Sequence, residues 1–197
     1  MKALKYLNIS DIVFFDIETV RISDTLKKGT GLYHAWEYKA RYDSENKGNT
    51  ELTIEQLFKE KAALYAEFGK IVCITVGRLH KNKDGDITPV FKNYDAVEEK
   101  ELLELCMSDL NKVCEKYKHT LLFGHAIKGF DIPFVFRRCL INGVEPNYLF
   151  DIGEAKPWEL TTKDTLELWK SGAFYSASLL AISNAFGLPS PKTDIAG

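Results

Sequence analysis

The segment Val13-Phe14-Phe15-Asp16-Ile17-Glu18-Thr19 is where residue types and spacing first suggest chemistry. An apolar run, readable as a buried strand, ends in two carboxylates one residue apart. Side chains at i and i+2 of a strand share a face. Asp16 and Glu18 therefore converge on one region of space. Two carboxylates held together repel, and one tends to keep its proton unless a cation sits between them. Oxygen-only ligands suit a hard divalent ion such as Mg²⁺ or Mn²⁺. A strand followed by a solvated acidic turn accounts for the same residues.

A second segment runs from Leu121-Leu122-Phe123 through Gly124-His125 to Phe130-Asp131-Ile132-Pro133, with Arg137 and Arg138 behind it. It reads as an apolar strand, a glycine-containing loop and then a helix. Asp131 would cap that helix, and Pro133 is tolerated in its first turn. A cap is one role for Asp131; a place beside Asp16 and Glu18 is the other. Both carboxylate segments lie at strand ends, where α/β sheets carry functional groups, and together they favour a shared site.

These two segments resemble the first and second motifs of the DEDD, or DnaQ-like, 3'–5' exonuclease superfamily. Phe15-Asp16-Ile17-Glu18-Thr19 is similar to the first motif, and Gly124-His125 through Phe130-Asp131-Ile132-Pro133 to the second. The Phe-Asp-Ile-Pro form resembles the exonuclease domain of family B DNA polymerases. Three further stretches resemble the stand-alone exonucleases of that type: Phe68-Gly69-Lys70-Ile71-Val72-Cys73-Ile74, Lys163-Asp164-Thr165-Leu166-Glu167-Leu168-Trp169 and Phe186-Gly187-Leu188-Pro189. The resemblance extends from about residue 10 to the C-terminus.

The resemblance implies an α/β domain spanning residues 1–197 with a ribonuclease H-like fold, a mixed central sheet flanked by helices. It implies hydrolysis of single-stranded DNA with two divalent cations, Mg²⁺ or Mn²⁺; RNA is a substrate within the same superfamily. Asp16 would bridge both ions, Glu18 would hold the water-activating ion and Asp131 the other. Thr19 would meet the terminal 3' hydroxyl through its backbone. Lys128, Arg137 and Arg138 would touch phosphates, and a charged helix face in solvent explains them equally well. Ile17 and Phe130 would contact substrate or simply fill the core. His125 and Asp164 would support the site without ligating. The third motif, a C-terminal helix with a fourth Asp preceded by Tyr or His, is the departure. Asp194 follows Pro189-Ser190-Pro191, which breaks helices, so this chain is expected to lack that motif. The chain would then be truncated or interrupted and slow or inactive, or a polymerase, a helicase or a second copy would complete the site, or the domain is a nucleic-acid-binding or regulatory module of the same fold without activity.

The 197 residues suffice for one domain with a substantial core. With 26 Lys and Arg against 28 Asp and Glu, the chain lacks the basic excess of a general DNA-coating protein. No apolar run reaches membrane-spanning length and no signal-peptide pattern opens the chain, so no membrane partner and a cytoplasmic location are expected. The four cysteines are scattered and read as buried free thiols.

The elements that must position these residues follow from periodicity and turn residues. Strands are predicted at 11–17, 71–79, 87–94, 120–125 and 160–164, with Asp84-Gly85 as a hairpin turn. Helices are predicted at 53–67, 95–117, 132–141 and 177–186. Leu57, Ala62, Leu64 and Tyr65 are among the apolar positions of the first. Leu102, Leu103, Leu105, Cys106, Leu110 and Val113 face the core from the second. Residues 21–52 read as a polar, irregular insertion with a short helix near 34–42.

Overall fold

In strand β1, Ile12–Arg21, alternate residues divide between two environments. Val13, Phe15 and Ile17 are buried, whereas Asp16 and Glu18 are exposed on the opposite face. This is the two-residue period of a strand with one face in a core. The computed structural model describes residues 7–47, 52–156, 161–174 and 176–190; Asp194 lies outside them.

A helical insertion follows β1. Helix α1 spans Gly31–Lys47 and α2 spans Ile54–Lys61. Trp36 and Ala40, one turn apart on α1, are buried against Leu57, Phe58, Ala62 and Phe68. The Trp36 ring meets Phe58 and Phe68 edge-on, at centroid distances of 5.3 and 5.0 Å. Thr53 and Gln56 start α2 with a reciprocal capping box.

Strand β2, Gly69–Lys81, and strand β3, Ile87–Tyr94, form the expected hairpin. Helix α3, Glu99–Lys116, leads to β4, Leu121–Gly124, and helix α4, Asp131–Asn142, follows. Gly143, at φ +66°, ends α4 in the left-handed conformation that glycine tolerates. Strand β5, Thr162–Asp164, runs directly into α5, Thr165–Lys170, and α6 covers Leu179–Ala185. The sheet order is β3-β2-β1-β4-β5. β2 is antiparallel to both neighbours, while β1, β4 and β5 are parallel. The architecture is therefore α/β, a five-stranded mixed sheet flanked by helices.

The main core lies on the Val13–Phe15–Ile17 side of the sheet. Leu102, Leu103 and Leu110 of α3 and Ile132, Phe134 and Val135 of α4 fill it. Each such side chain, fully buried, contributes about 1.5–3 kcal/mol of hydrophobic stabilisation.

Several sequence expectations shift. Residues 31–47 form a seventeen-residue helix rather than a short one, because Trp36 and Ala40 find an apolar partner in α2 and Phe68. The helix expected to reach residue 67 stops at Lys61 and tightens into a 3-10 turn at Ala62–Leu64. Leu105, expected to face the core, is 51% exposed, and Leu64, one of the apolar positions of the first predicted helix, is 56% exposed. Met107 and Cys114 are buried on α3, so its buried stripe runs through them. Cys106, Cys114 and Cys139 are buried free thiols and Cys73 is half-buried. Among the described residues, no helix is long and apolar enough to cross a membrane.

Candidate functional site

The β1–β4 ladder ends at the pair Phe14 and Phe123. Ile17 lies beyond that last rung, so its N–H has no ladder partner on the β4 side. The Asp131 carboxylate takes it: Ile17 N–H donates to Asp131 Oδ1 at 3.1 Å. Asp131 thus does not cap its own helix; α4 starts without a side-chain cap. The carboxylate is instead drawn across to β1, between the positions of Asp16 and Glu18. A buried backbone N–H needs a partner, and this need fixes Asp131 against the first carboxylate segment.

The charges of the group interact. Asp131 is 5% exposed, and burial, followed by repulsion from Asp16, pushes its carboxyl up to about 7. Two backbone hydrogen bonds, one from Ile17 N–H, pull in the other direction, and Asp164 adds further repulsion. Asp16 is raised by partial burial and then by Glu18. Among the described residues, no Lys, Arg or His forms an ion pair with Asp16, Glu18 or Asp131. Repulsion left uncompensated by a protein cation, in an oxygen-only donor set, fits a hard divalent ion. The three side chains are nevertheless not closed around a point: among the described residues, no group of three or more His, Cys, Asp or Glu is gathered tightly enough to hold a metal.

Asp164 shapes the loop that delivers Asp131. It is buried at the end of β5. Its Oδ1 accepts the N–H groups of Ala126 and Leu166, each at 2.9 Å, and its Oδ2 accepts the N–H of Lys128 at 3.1 Å. One carboxylate therefore caps α5 and ties down the 125–130 loop. Ala126 sits at φ +61°, a strained conformation for a residue with a side chain, and the Asp164 bond to its N–H helps hold it there. The Ala126 carbonyl in turn accepts from Gly129 N–H at 3.0 Å.

Gly124 is obligatory at the strand exit. A Cβ there would fall 2.1 Å from Ile127 Cγ2 and 2.8 Å from the Phe15 carbonyl oxygen. His125 is half-buried, and its Nδ1 lies 3.1 Å from Thr165 Oγ1. The Thr165 hydroxyl donates to the Gly124 carbonyl at 3.1 Å. His125 is thus tied to α5 through one ring nitrogen.

The remaining expected residues take varied places. Ile17 is buried in the main core and Phe130 packs against it, 5.3 Å from the Phe134 ring. Thr19 sits just past a register shift between Glu18 and Thr19. Its hydroxyl donates to the Ala63 carbonyl at 2.8 Å, which joins the end of the carboxylate segment to the helical insertion. Lys128 is half-buried and offers its backbone N–H to Asp164. Arg137 is exposed, but Arg138 is buried. Its Nε and Nη2 donate to Glu99, and its Nη1 donates to the Ala66 carbonyl at 2.8 Å. Glu99 Oε1 also accepts Ile71 N–H at 2.7 Å. Arg138 therefore braces α4 against α3 and the approach to β2 and faces no phosphate.

The close packing at Gly124, the contacts of Thr165 and Ala63 and the Arg138–Glu99 pair were not anticipated from the sequence. Two of them had a signal: glycine directly after an apolar strand, and Asp-Thr opening a helical pattern. The Ala63 carbonyl and Glu99 had none, because both contacts are made across the fold. No protein-family model matches the chain, and no curated protein is significantly similar to it.

Proposed function

We propose that this chain is a metal-dependent 3'–5' exonuclease acting on single-stranded DNA, built on a ribonuclease H-like fold. One observation carries the reading. Asp131, 114 positions from Ile17 in sequence, hydrogen-bonds the backbone between Asp16 and Glu18. The strand order β3-β2-β1-β4-β5, with β2 reversed, supports the fold assignment.

Asp16, Glu18 and Asp131 would hold two divalent cations, Mg²⁺ or Mn²⁺. Such ions supply an activated water and stabilise the leaving 3' oxygen. The chain's own contribution is positional. Ile17 N–H holds one Asp131 oxygen, and the two-residue period of β1 keeps Asp16 and Glu18 on its open face. Asp164 fixes the loop whose end is Asp131.

A second reading has a specific observation in its favour. The carboxylates are not closed around a point among the described residues. A domain of this kind would bind nucleic acid without cleaving it, or would gain its last ligand from another chain. Degradation of a 5'-labelled single-stranded oligonucleotide with Mn²⁺, beside an Asp16→Ala control, separates the readings. The exonuclease gives a ladder that shortens from the 3' end and is absent in the control. A wild-type chain that binds the oligonucleotide and leaves it intact would favour the binding module.

A further inference from the structure

The face of the sheet that carries Asp16 and Glu18 also carries an aromatic row. Register partners share a face, and five of them run in one line across all five strands. Phe91 pairs with Gly77, Gly77 with Phe14, Phe14 with Phe123, and Phe123 with Lys163. The line opens on an exposed ring: Phe91 is 62% exposed. Phe14 and Lys163 are half-buried, whereas Phe123 is buried, so the rings open to solvent are those of Phe91 and, in part, Phe14. Gly77 lets the Phe91 ring fold inward, since a Cβ there would come within 2.7 Å of that ring. Phe14 and Phe123 meet edge-on at 6.0 Å. The next line toward the carboxylates is polar: Asn93, Thr75 and Asp16 are partners, and Thr75 Oγ1 donates to Asn93 Oδ1 at 3.0 Å.

We infer that the Phe91–Phe14 side of this row is a stacking platform for the bases of a single-stranded nucleic acid whose backbone reaches the Asp16–Glu18–Asp131 site. The inference rests on the reading of that site as one that receives a phosphodiester. Three features favour this occupant over a protein surface. The platform is continuous with the carboxylates: Phe14 and Asp16 lie two residues apart on one face of one strand, about 7 Å of advance, a step of the same order as that between bases of an extended strand. Its exposed apolar surface is aromatic, and aromatic faces accept any base without regard to sequence. Lys163 closes the row with a cation suited to a phosphate.

The test is binding of a fluorescent single-stranded oligonucleotide by anisotropy, with Ca²⁺ replacing Mn²⁺ to suppress hydrolysis. The comparison is an abasic oligonucleotide of equal length, which has the same charge and no bases. The intact oligonucleotide should bind at least about fivefold more tightly. Phe91→Ala should erase most of that difference. Phe91→Leu, which keeps apolar cover without a planar ring, should erase it too. Truncating the exposed Leu105 on α3 to Ala should leave it unchanged. Equal binding of intact and abasic oligonucleotides overturns the inference, as does a Phe91→Leu protein that binds like the wild type. A change in sedimentation of Phe91→Ala with DNA binding unaffected also overturns it, and would assign the face to a protein partner. A 3'-end ladder without base-dependent affinity removes the platform alone. Base-dependent affinity without a ladder keeps the platform and removes the exonuclease.

Discussion

Replacing Asp131 with Asn tests the electrostatic account of the site without requiring activity. The carboxamide keeps an oxygen to accept Ile17 N–H, the bond that sets Asp131 against β1. It removes the charge that burial and Asp16 disfavour. The Asp131 carboxyl is raised from 3.8 to about 7 in the folded chain. A carboxyl raised in this way binds its proton more tightly when folded than when unfolded. Its contribution is therefore most favourable at low pH and is lost as pH rises from about 4 through about 7. The gap corresponds to about 4 kcal/mol of cost for the ionised form above that window. Urea denaturation of metal-free wild type and Asp131→Asn at several pH values between 4 and 9 reads this directly. The two curves should nearly meet at the acid end. Above pH 7 the Asn variant should be the more stable, by up to that amount. Curves that stay parallel across the range, or a wild type that gains stability over the variant as pH rises, would refute the claim that Asp131 is buried against like charge.

Three further outcomes are expected. Gly124→Ala should destabilise the fold by about 1–3 kcal/mol or more, because the new methyl meets the fixed Phe15 carbonyl as well as Ile127; a melting temperature within a degree of wild type would show that the loop yields freely. Asp164→Ala should cost about 1–3 kcal/mol for each N–H left without a partner and should weaken Mn²⁺ binding by releasing the loop that leads to Asp131; calorimetry with unchanged Mn²⁺ affinity would separate the loop from the site. His125→Ala should leave Mn²⁺ affinity nearly intact, since its ring is tied to Thr165; a loss of tenfold or more, about 1.4 kcal/mol, would make His125 a ligand.

The strands of the sheet were legible because their signals are local. An apolar run that ends in Asp-Ile-Glu puts two carboxylates on one face of β1 by geometry alone, and Asp-Gly makes the β2–β3 turn. Expectations failed where a distant partner decides. A polar-looking segment became the long helix α1 because Phe58 and Phe68 cover Trp36. Arg138 reads as a phosphate contact from its place behind Asp131, yet Glu99 draws it into the interior.

By itself the sequence singled out the residues proposed for the chemistry: Asp16 and Glu18 by their spacing, and Asp131 by its position after a strand and glycine loop. It also determined the alternation of strands and helices, because hydrophobic periodicity is written in neighbouring residues. The tertiary structure alone decided that Asp131 reaches β1 instead of capping its own helix. The reason is the short β4 ladder, which leaves the Ile17 N–H to be satisfied from elsewhere. It alone decided how Asp164, expected to support the site without ligating, does so: by holding the backbone N–H groups of Ala126, Lys128 and Leu166. Both outcomes depend on which polar groups lose water together on folding, and no local pattern of residues encodes that.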